Sequence, residues 1–118
     1  MDFLQDKMRI IQEFVPGKQV TVAHVIASPD ESVFEKSRIK SVKSGSAIGI
    51  LNITPPETAI VAADICLKGG AVEIDMIDRV NGTLIITGKV SEVEAALASA
   101  VRYTEEKLGF SVCEITKT

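Results

Sequence analysis

Hydrophobic and polar positions in the central stretch, from Ala47 to Gly88, predict a strand, a helix and two further strands. Ala47–Ile53 is a short apolar run that is typical of a buried strand. Small apolar residues then recur at the i, i+3, i+4, i+7, i+8 spacing of one helix face: Ala59, Ala62, Ala63, Cys66 and Leu67. Because these side chains are small, the predicted helix can lie close against a sheet. Val72–Val80 and Thr83–Gly88 follow as strands, and Asn81-Gly82 between them is the strongest signal for a two-residue hairpin turn.

Three predicted helices begin at capping-box signals, in which a Ser or Thr cap is followed three residues later by Glu. The pairs are Ser28 with Glu31, Thr54 with Glu57, and Ser91 with Glu94. Gly69-Gly70 ends the central helix, and Gly109 ends the last one. The last helix has the longest buried stripe: Val93, Ala96, Leu97, Ala100, Val101, Thr104 and Leu108. The first is short, about Pro29–Lys36, with apolar residues only at Val33 and Phe34.

Two more strands are predicted outside the central stretch, Gln19–Ala27 and Phe110–Ile115. Both alternating faces of Gln19–Ala27 are largely apolar, which predicts a strand that is covered on both sides. The order from Ala47 to Ile115 is therefore β-α-β-β-α-β. This order predicts an α+β fold of the ferredoxin-like, split βαβ type, with two helices on one face of four strands. The Gln19–Ala27 strand can extend that sheet or pair elsewhere.

Length and composition are those of one ordinary domain, with 118 residues of which 46% are hydrophobic and 4% aromatic. A net charge of −3 with mixed signs argues against nucleic-acid binding, which needs a concentrated positive field. Neither a signal peptide nor a membrane span is expected, because residues 1–6 lack a positive region and a long apolar run, and no run approaches about 18 apolar residues. A cytosolic protein is therefore expected, with Cys66 and Cys113 as reduced thiols.

The sequence offers little catalytic chemistry. His24 is the only histidine, and within an apolar strand it is expected to be a packed, hydrogen-bonded residue. Asp75 and Asp78 lie three residues apart in a strand, so they are expected to face opposite sides and to make a weak pair. No catalytic residue, metal ligand or cofactor is predicted. A self-associating building block is the simplest interpretation. The alternatives are a ferredoxin-like regulatory domain that binds a small molecule between subunits, and an enzyme using His24 and the two aspartates.

Two long stretches resemble a known family. Residues 10–29, IIQEFVPGKQVTVAHVIASP, and residues 46–88, which include DICLKGGAVEIDMIDRVNG, are similar to circularly permuted shell proteins of bacterial microcompartments. The stretches resemble the ethanolamine- and propanediol-utilisation permuted subunits, and the loop SRIKSVKSGS adds the choline-utilisation relative to these. In ordinary shell proteins the strand that resembles VTVAHVIASP ends the chain, whereas here it comes first. The resemblance implies an N-terminal extension, residues 1–19, and a permuted BMC domain, residues 20–118.

This resemblance also implies an assembly and a role for particular residues. Six copies would form a flat homohexamer, with Val80, Asn81 and Gly82 in the loop that lines a central pore. Lys68 would match the lysine that contacts the neighbouring hexamer. The arginine that usually accompanies this contact is absent, since Ala27-Ser28-Pro29 occupies its place, which puts sheet-forming tiling in doubt.

The N-terminal extension has its own expected role. In permuted relatives this stretch forms a six-stranded parallel β-barrel over the pore, with one strand from each subunit, and a closed ring satisfies the strand edges. The matching residues are Ile10, Ile11, Gln12, Glu13, Phe14 and Val15. The pore is then expected to be narrow or capped. Expected partners are further copies, other shell proteins and encapsulated enzymes, with no nucleic acid or membrane, at a cytoplasmic microcompartment shell.

Overall fold

A computed structural model describes residues 17–39 and 46–118. Within these residues the elements follow in the order β-α-β-α-β-β-α-β, and a short 3-10 turn, Pro56–Thr58, precedes the second helix. The strands are β1 Gln19–Ile26, β2 Ala47–Thr54, β3 Val72–Asp78, β4 Thr83–Gly88 and β5 Thr116–Lys117. The helices are α1 Glu31–Ser37, α2 Ala59–Gly69 and α3 Val90–Glu106.

The five strands form one sheet in the order β3-β4-β2-β1-β5. The first four are paired antiparallel, and β5 runs parallel to β1. This confirms the predicted α+β, split βαβ arrangement, but the fourth strand of the sheet is β1 rather than Phe110–Ile115. That later stretch makes only the isolated bridge between Gln19 and Ser111 before β5 begins. The reason is that β1 pairs along almost the whole of β2 and leaves the later segment only the outer edge.

The main core lies between one face of the sheet and helices α2 and α3. It includes Val20, Ala23, Val25, Leu51, Ile53, Leu84 and Ile86 from the strands, Ala59, Ala62, Ala63 and Cys66 from α2, and Val93, Ala96, Leu97 and Ala100 from α3. The predicted small-residue face of α2 is confirmed except at Leu67, which is 52% exposed. The layers are close: a Cβ on Gly49 of β2 would lie 2.7 Å from Val93 Cγ1.

A second, smaller cluster lies on the opposite face of the sheet. Phe34 of α1 packs there with Ile39 and Ile48. The N-cap of α1 is Asp30 rather than the predicted Ser28, because the Asp30 carboxylate accepts a hydrogen bond from Ser32 N at 3.0 Å. The sheet is therefore partly covered on both faces.

The other two predicted capping boxes are also wrong. Thr54 pairs with Gln19 as the last residue of β2, so α2 begins later, after the 3-10 turn. Helix α3 begins at Val90, which places Ser91 inside its first turn. Glu92 of that turn instead accepts a hydrogen bond from Ala71 N at 2.9 Å and so joins α3 to the start of β3.

The alternation predicted for β1 is interrupted. The register with β2 shifts between Val20 and Val22, so Val20 and Ala23 both face the main core, three residues apart. An irregularity of this kind rotates the rest of the strand by one position. Val22 is consequently an exposed residue, and the prediction that both faces are covered is wrong at that position.

Candidate functional site

The loop between β3 and β4 has four residues, Arg79–Gly82, and not the predicted two, because Asp78 pairs with Thr83. Asp78 organises the loop. Its Oδ1 accepts hydrogen bonds from Val80 N at 2.9 Å and Asn81 N at 3.0 Å, and its Oδ2 accepts one from Asn81 Nδ2 at 2.9 Å. The backbone oxygen of Asp78 accepts from Gly82 N at 2.7 Å. These bonds lower the pKa of the Asp78 carboxyl, chiefly through the two groups of Asn81, because they favour its charged form.

Gly82 closes the loop where no other residue would fit well. Its φ is 79°, and a Cβ at this position would lie 2.0 Å from the backbone oxygen of Ile53. The close approach is fixed by a hydrogen bond from Ile53 N to Gly82 O at 2.8 Å. Val80, by contrast, is 77% exposed at the tip. The loop is thus a firmly held turn that presents an apolar side chain.

Asn52 joins this loop to β1 and is a residue that sequence reasoning did not single out. Its Oδ1 accepts a hydrogen bond from Thr21 Oγ1 at 2.9 Å. Its Nδ2 donates to Thr83 Oγ1 at 3.1 Å and to the backbone oxygen of Asn81 at 3.4 Å. The available signal was a single amide within the apolar strand AIGILNIT, since a polar side chain in such a run needs partners.

The start of β1 lies at the same end of the sheet as the loop. Gln19 pairs with Thr54, and the neighbouring Ile53 donates its N–H to Gly82 O. Residues 10–15, the predicted barrel strand, lie outside the described residues. The chain that leads from them therefore joins the sheet beside the β3–β4 loop.

Lys68 lies at the other end of β3, in the last turn of α2. Its Nζ forms an ion pair with Asp64 Oδ2 at 2.7 Å, and the two side chains are 75% and 61% exposed. The pKa of Lys68 is raised, first by the hydrogen bond and then by the charge of Asp64. A seven-residue strand spans about 20 Å, so Lys68 and the β3–β4 loop belong to separate parts of the surface.

The residues considered for catalysis are not brought together. Both ring nitrogens of His24 lie within hydrogen-bond distance of threonine hydroxyls, Thr116 and Thr118, so the residue helps to hold β5. The carboxylate of Asp78 is engaged by the loop, and Asp75 lies at the register shift in β3. Among residues 17–39 and 46–118, no three His, Cys, Asp or Glu side chains are placed to hold a metal ion.

The two cysteines are reduced thiols. Cys66 is buried in the main core and Cys113 is half-buried. Burial raises the pKa of the Cys66 thiol to about 12, because the thiolate would be poorly solvated there. No helix of the described chain is long and apolar enough to cross a membrane.

Comparison with known proteins gives one consistent result. Residues 47–116 match the BMC domain family. Bacterial microcompartment shell protein PduU of Salmonella typhimurium is 51% identical over 110 residues, which cover 93% of each chain. Shell protein EutS of Escherichia coli is 49% identical over 113 residues, which cover 96% of this chain and 99% of EutS.

A solved structure extends this likeness to three dimensions. The CutR flat hexamer, form 1, superimposes with a TM-score of 0.81 at 44% identity and covers 93% of this chain and 99% of CutR. The comparisons give no support to the regulatory, small-molecule-binding alternative. Strand β1 lies before the matched BMC region although it completes the same sheet, as expected for a permuted order.

Proposed function

Because this chain belongs to the BMC-domain shell proteins of bacterial microcompartments, we propose that it is a structural subunit whose six copies form a homohexamer in the shell. The observation that carries this proposal is the likeness of nearly the whole fold to a subunit of the CutR flat hexamer. Light scattering tests it: a hexamer of the 12.7 kDa chain has a mass of about 76 kDa. A stable monomer or dimer at micromolar concentration would contradict it.

The proposal includes a non-catalytic role. PduU and EutS are shell proteins, and this chain aligns with them over almost its full length. The position of His24 supports the same role, since its two ring nitrogens contact the hydroxyls of Thr116, in β5, and Thr118, directly after it. Substrate turnover that disappears on His24→Ala, in a protein that still assembles, would refute this part of the proposal.

The β3–β4 loop is proposed to surround the six-fold axis, with Val80, Asn81 and Gly82 lining the pore. Two features support this role. The loop is held rigidly by Asp78 and Ile53, and its tip is the most exposed large apolar side chain of the described residues. A cysteine at Val80 would test the position: in a hexamer, Val80→Cys chains should crosslink to one another on oxidation, whereas Val33→Cys on α1 should not.

Residues 10–15 are proposed to form one strand of a six-stranded barrel that narrows or caps the pore. Support comes from the start of β1, which lies beside the β3–β4 loop, so the preceding chain enters at the proposed axis. Deletion of residues 1–16 should leave the hexamer intact and increase solute flux through it. Loss of the hexamer on deletion would contradict a capping role, because it would make the segment part of the subunit contact.

Lys68 is proposed to contact the neighbouring hexamer. Its side chain is exposed and oriented by Asp64, so it can reach an adjoining molecule at little entropic cost. Lys68→Asp should retain the hexamer but abolish sheets or tubes in electron micrographs. Lys36→Asp is the matched control, because Lys36 is also an exposed lysine in the last turn of a helix but lies on the opposite face of the sheet. Arrays that persist in the Lys68 variant would refute the contact.

A further inference from the structure

The backbone N–H groups of the β3–β4 loop donate hydrogen bonds to an acceptor next to the loop, Asp78. Three consecutive N–H groups, those of Val80, Asn81 and Gly82, all donate to Asp78, two to its carboxylate and one to its backbone oxygen. The side-chain amide of Asn81 donates to the same carboxylate. Consecutive backbone N–H groups in a turn commonly bind anions when they are free. In this loop an internal carboxylate already occupies that position.

We propose that Asp78 is a specificity-determining residue which makes the β3–β4 loop unable to bind anions through its backbone. The position of this loop at a pore rests on the proposed function, whereas its saturated donors are a property of the single chain. At the axis, six such loops would present the Val80 side chains instead of free backbone N–H groups. A pore lined in this way favours small neutral molecules over carboxylates and phosphates.

The negative charge of Asp78 also disfavours binding of an anion by the loop. Its pKa is lowered by the hydrogen bonds of the loop, so the carboxylate stays ionised at neutral pH. An incoming anion would have to displace a charged acceptor that already makes three hydrogen bonds, and charge-assisted bonds are the strong ones. Arg79 is the cation within the loop and is exposed. The alternative to the proposal is therefore that the loop binds an anion through the guanidinium of Arg79.

Two substitutions separate occupation of the donors from charge. Asp78→Asn keeps a side-chain oxygen that can accept from Val80 N and Asn81 N, but it removes the charge. Asp78→Ala removes both, and it frees the two N–H groups that the carboxylate covers. The backbone bond from Gly82 N remains in both variants. Circular dichroism and the mass of the assembly serve as controls for folding in each case.

The test follows the backbone amide signals of Val80 and Asn81 in the isotope-labelled full chain during a sulfate titration at constant ionic strength. The wild-type protein and Asp78→Asn should show no saturable shift. Asp78→Ala alone should show a saturable shift, and it should appear at both residues because both N–H groups lose their internal acceptor.

A saturable sulfate shift in the wild-type loop, through its amides or through Arg79, would overturn the proposal. An Asp78→Ala loop as inert as the wild type would also overturn it. If Asp78→Ala fails to fold, the titrations of the wild-type protein and Asp78→Asn still test the proposal. Saturable sulfate binding in either protein would contradict the claim that the backbone donors of the loop are already occupied. The mass of the assembly, measured on the same samples, distinguishes failure of the proposed function from failure of this inference. Absence of a hexamer refutes the proposed function, whereas anion binding by the wild-type loop refutes only this inference.

Discussion

Replacing Gly82 with alanine should destabilise the protein far more than the same change at Gly109. The two glycines form a matched pair, because both have a left-handed backbone, with φ of 79° and 72°. An added Cβ at Gly82 would lie 2.0 Å from the backbone oxygen of Ile53, whereas at Gly109 it would meet nothing within 4 Å. The difference in stability lost between Gly82→Ala and Gly109→Ala therefore measures the cost of close packing, because the cost of the left-handed backbone is common to both.

The magnitudes follow from these two contributions. A left-handed conformation costs an L-residue about 1–2 kcal/mol, which should be the whole effect at Gly109. Overpacking against atoms that cannot move adds about 1–3 kcal/mol, and at Gly82 the obstructing atom belongs to the backbone of β2. We therefore expect a loss of about 3 kcal/mol for Gly82→Ala, with the hydrogen bond from Ile53 N to Gly82 O also weakened.

The measurement is chemical denaturation followed by circular dichroism, at one fixed protein concentration because assembly contributes to apparent stability. Equal losses for Gly82→Ala and Gly109→Ala would refute the reasoning, since they would show that the loop can move away from Ile53 freely. A larger loss for Gly109→Ala would refute it more strongly.

Three further predictions concern the core, the thiols and the loop charge. Leu97→Ala, at a fully buried position of α3, should cost about 2–5 kcal/mol in denaturation experiments, whereas Leu67→Ala at an exposed position of α2 should cost little; similar losses would contradict the assigned core. A thiol reagent should label Cys113 first and Cys66 only after unfolding, because burial raises the pKa of Cys66 to about 12; rapid labelling of both in the native protein would count against this. The pKa of the Asp78 carboxyl is lowered in the folded state, so the stability that Asp78 contributes is complete above its ordinary pKa of 3.8 and is lost as the pH falls through the lower pKa of the folded protein. The amide chemical shifts of Val80 and Asn81 should follow this titration, and the titration should be absent in Asp78→Asn.

Some features could be predicted because they depend on local periodicity. The buried stripe of α3 and the boundaries of β4 follow directly from the spacing of apolar residues. The fold class followed from the order of those elements. The resemblance of residues 10–29 and 46–88 to shell proteins was confirmed by the match to the BMC family and to PduU.

Other features depend on partners that are distant in sequence. Thr54 has the local sequence of a helix cap, yet pairing with Gln19 keeps it in β2. Asn81-Gly82 indicates a two-residue turn, yet the hydrogen bond from Ile53 N to Gly82 O holds Gly82 in a four-residue loop that begins after the pair Asp78–Thr83. In each case a hydrogen bond formed in the folded sheet outweighs a local preference of similar size.

By itself, the sequence determined which residues are apolar and at what period, and hence the elements, the α+β class and the family. Only the tertiary structure decided that β1 is the fourth strand of the sheet, because strand pairing between Gln19–Ile26 and Ala47–Thr54 is a long-range contact without a local signal. It likewise decided that Asn52 bridges Thr21 to Asn81, and that Ile53 donates a hydrogen bond to Gly82. Hydrogen bonds between separate segments have no period along the chain, so they become apparent only once the segments have been brought together.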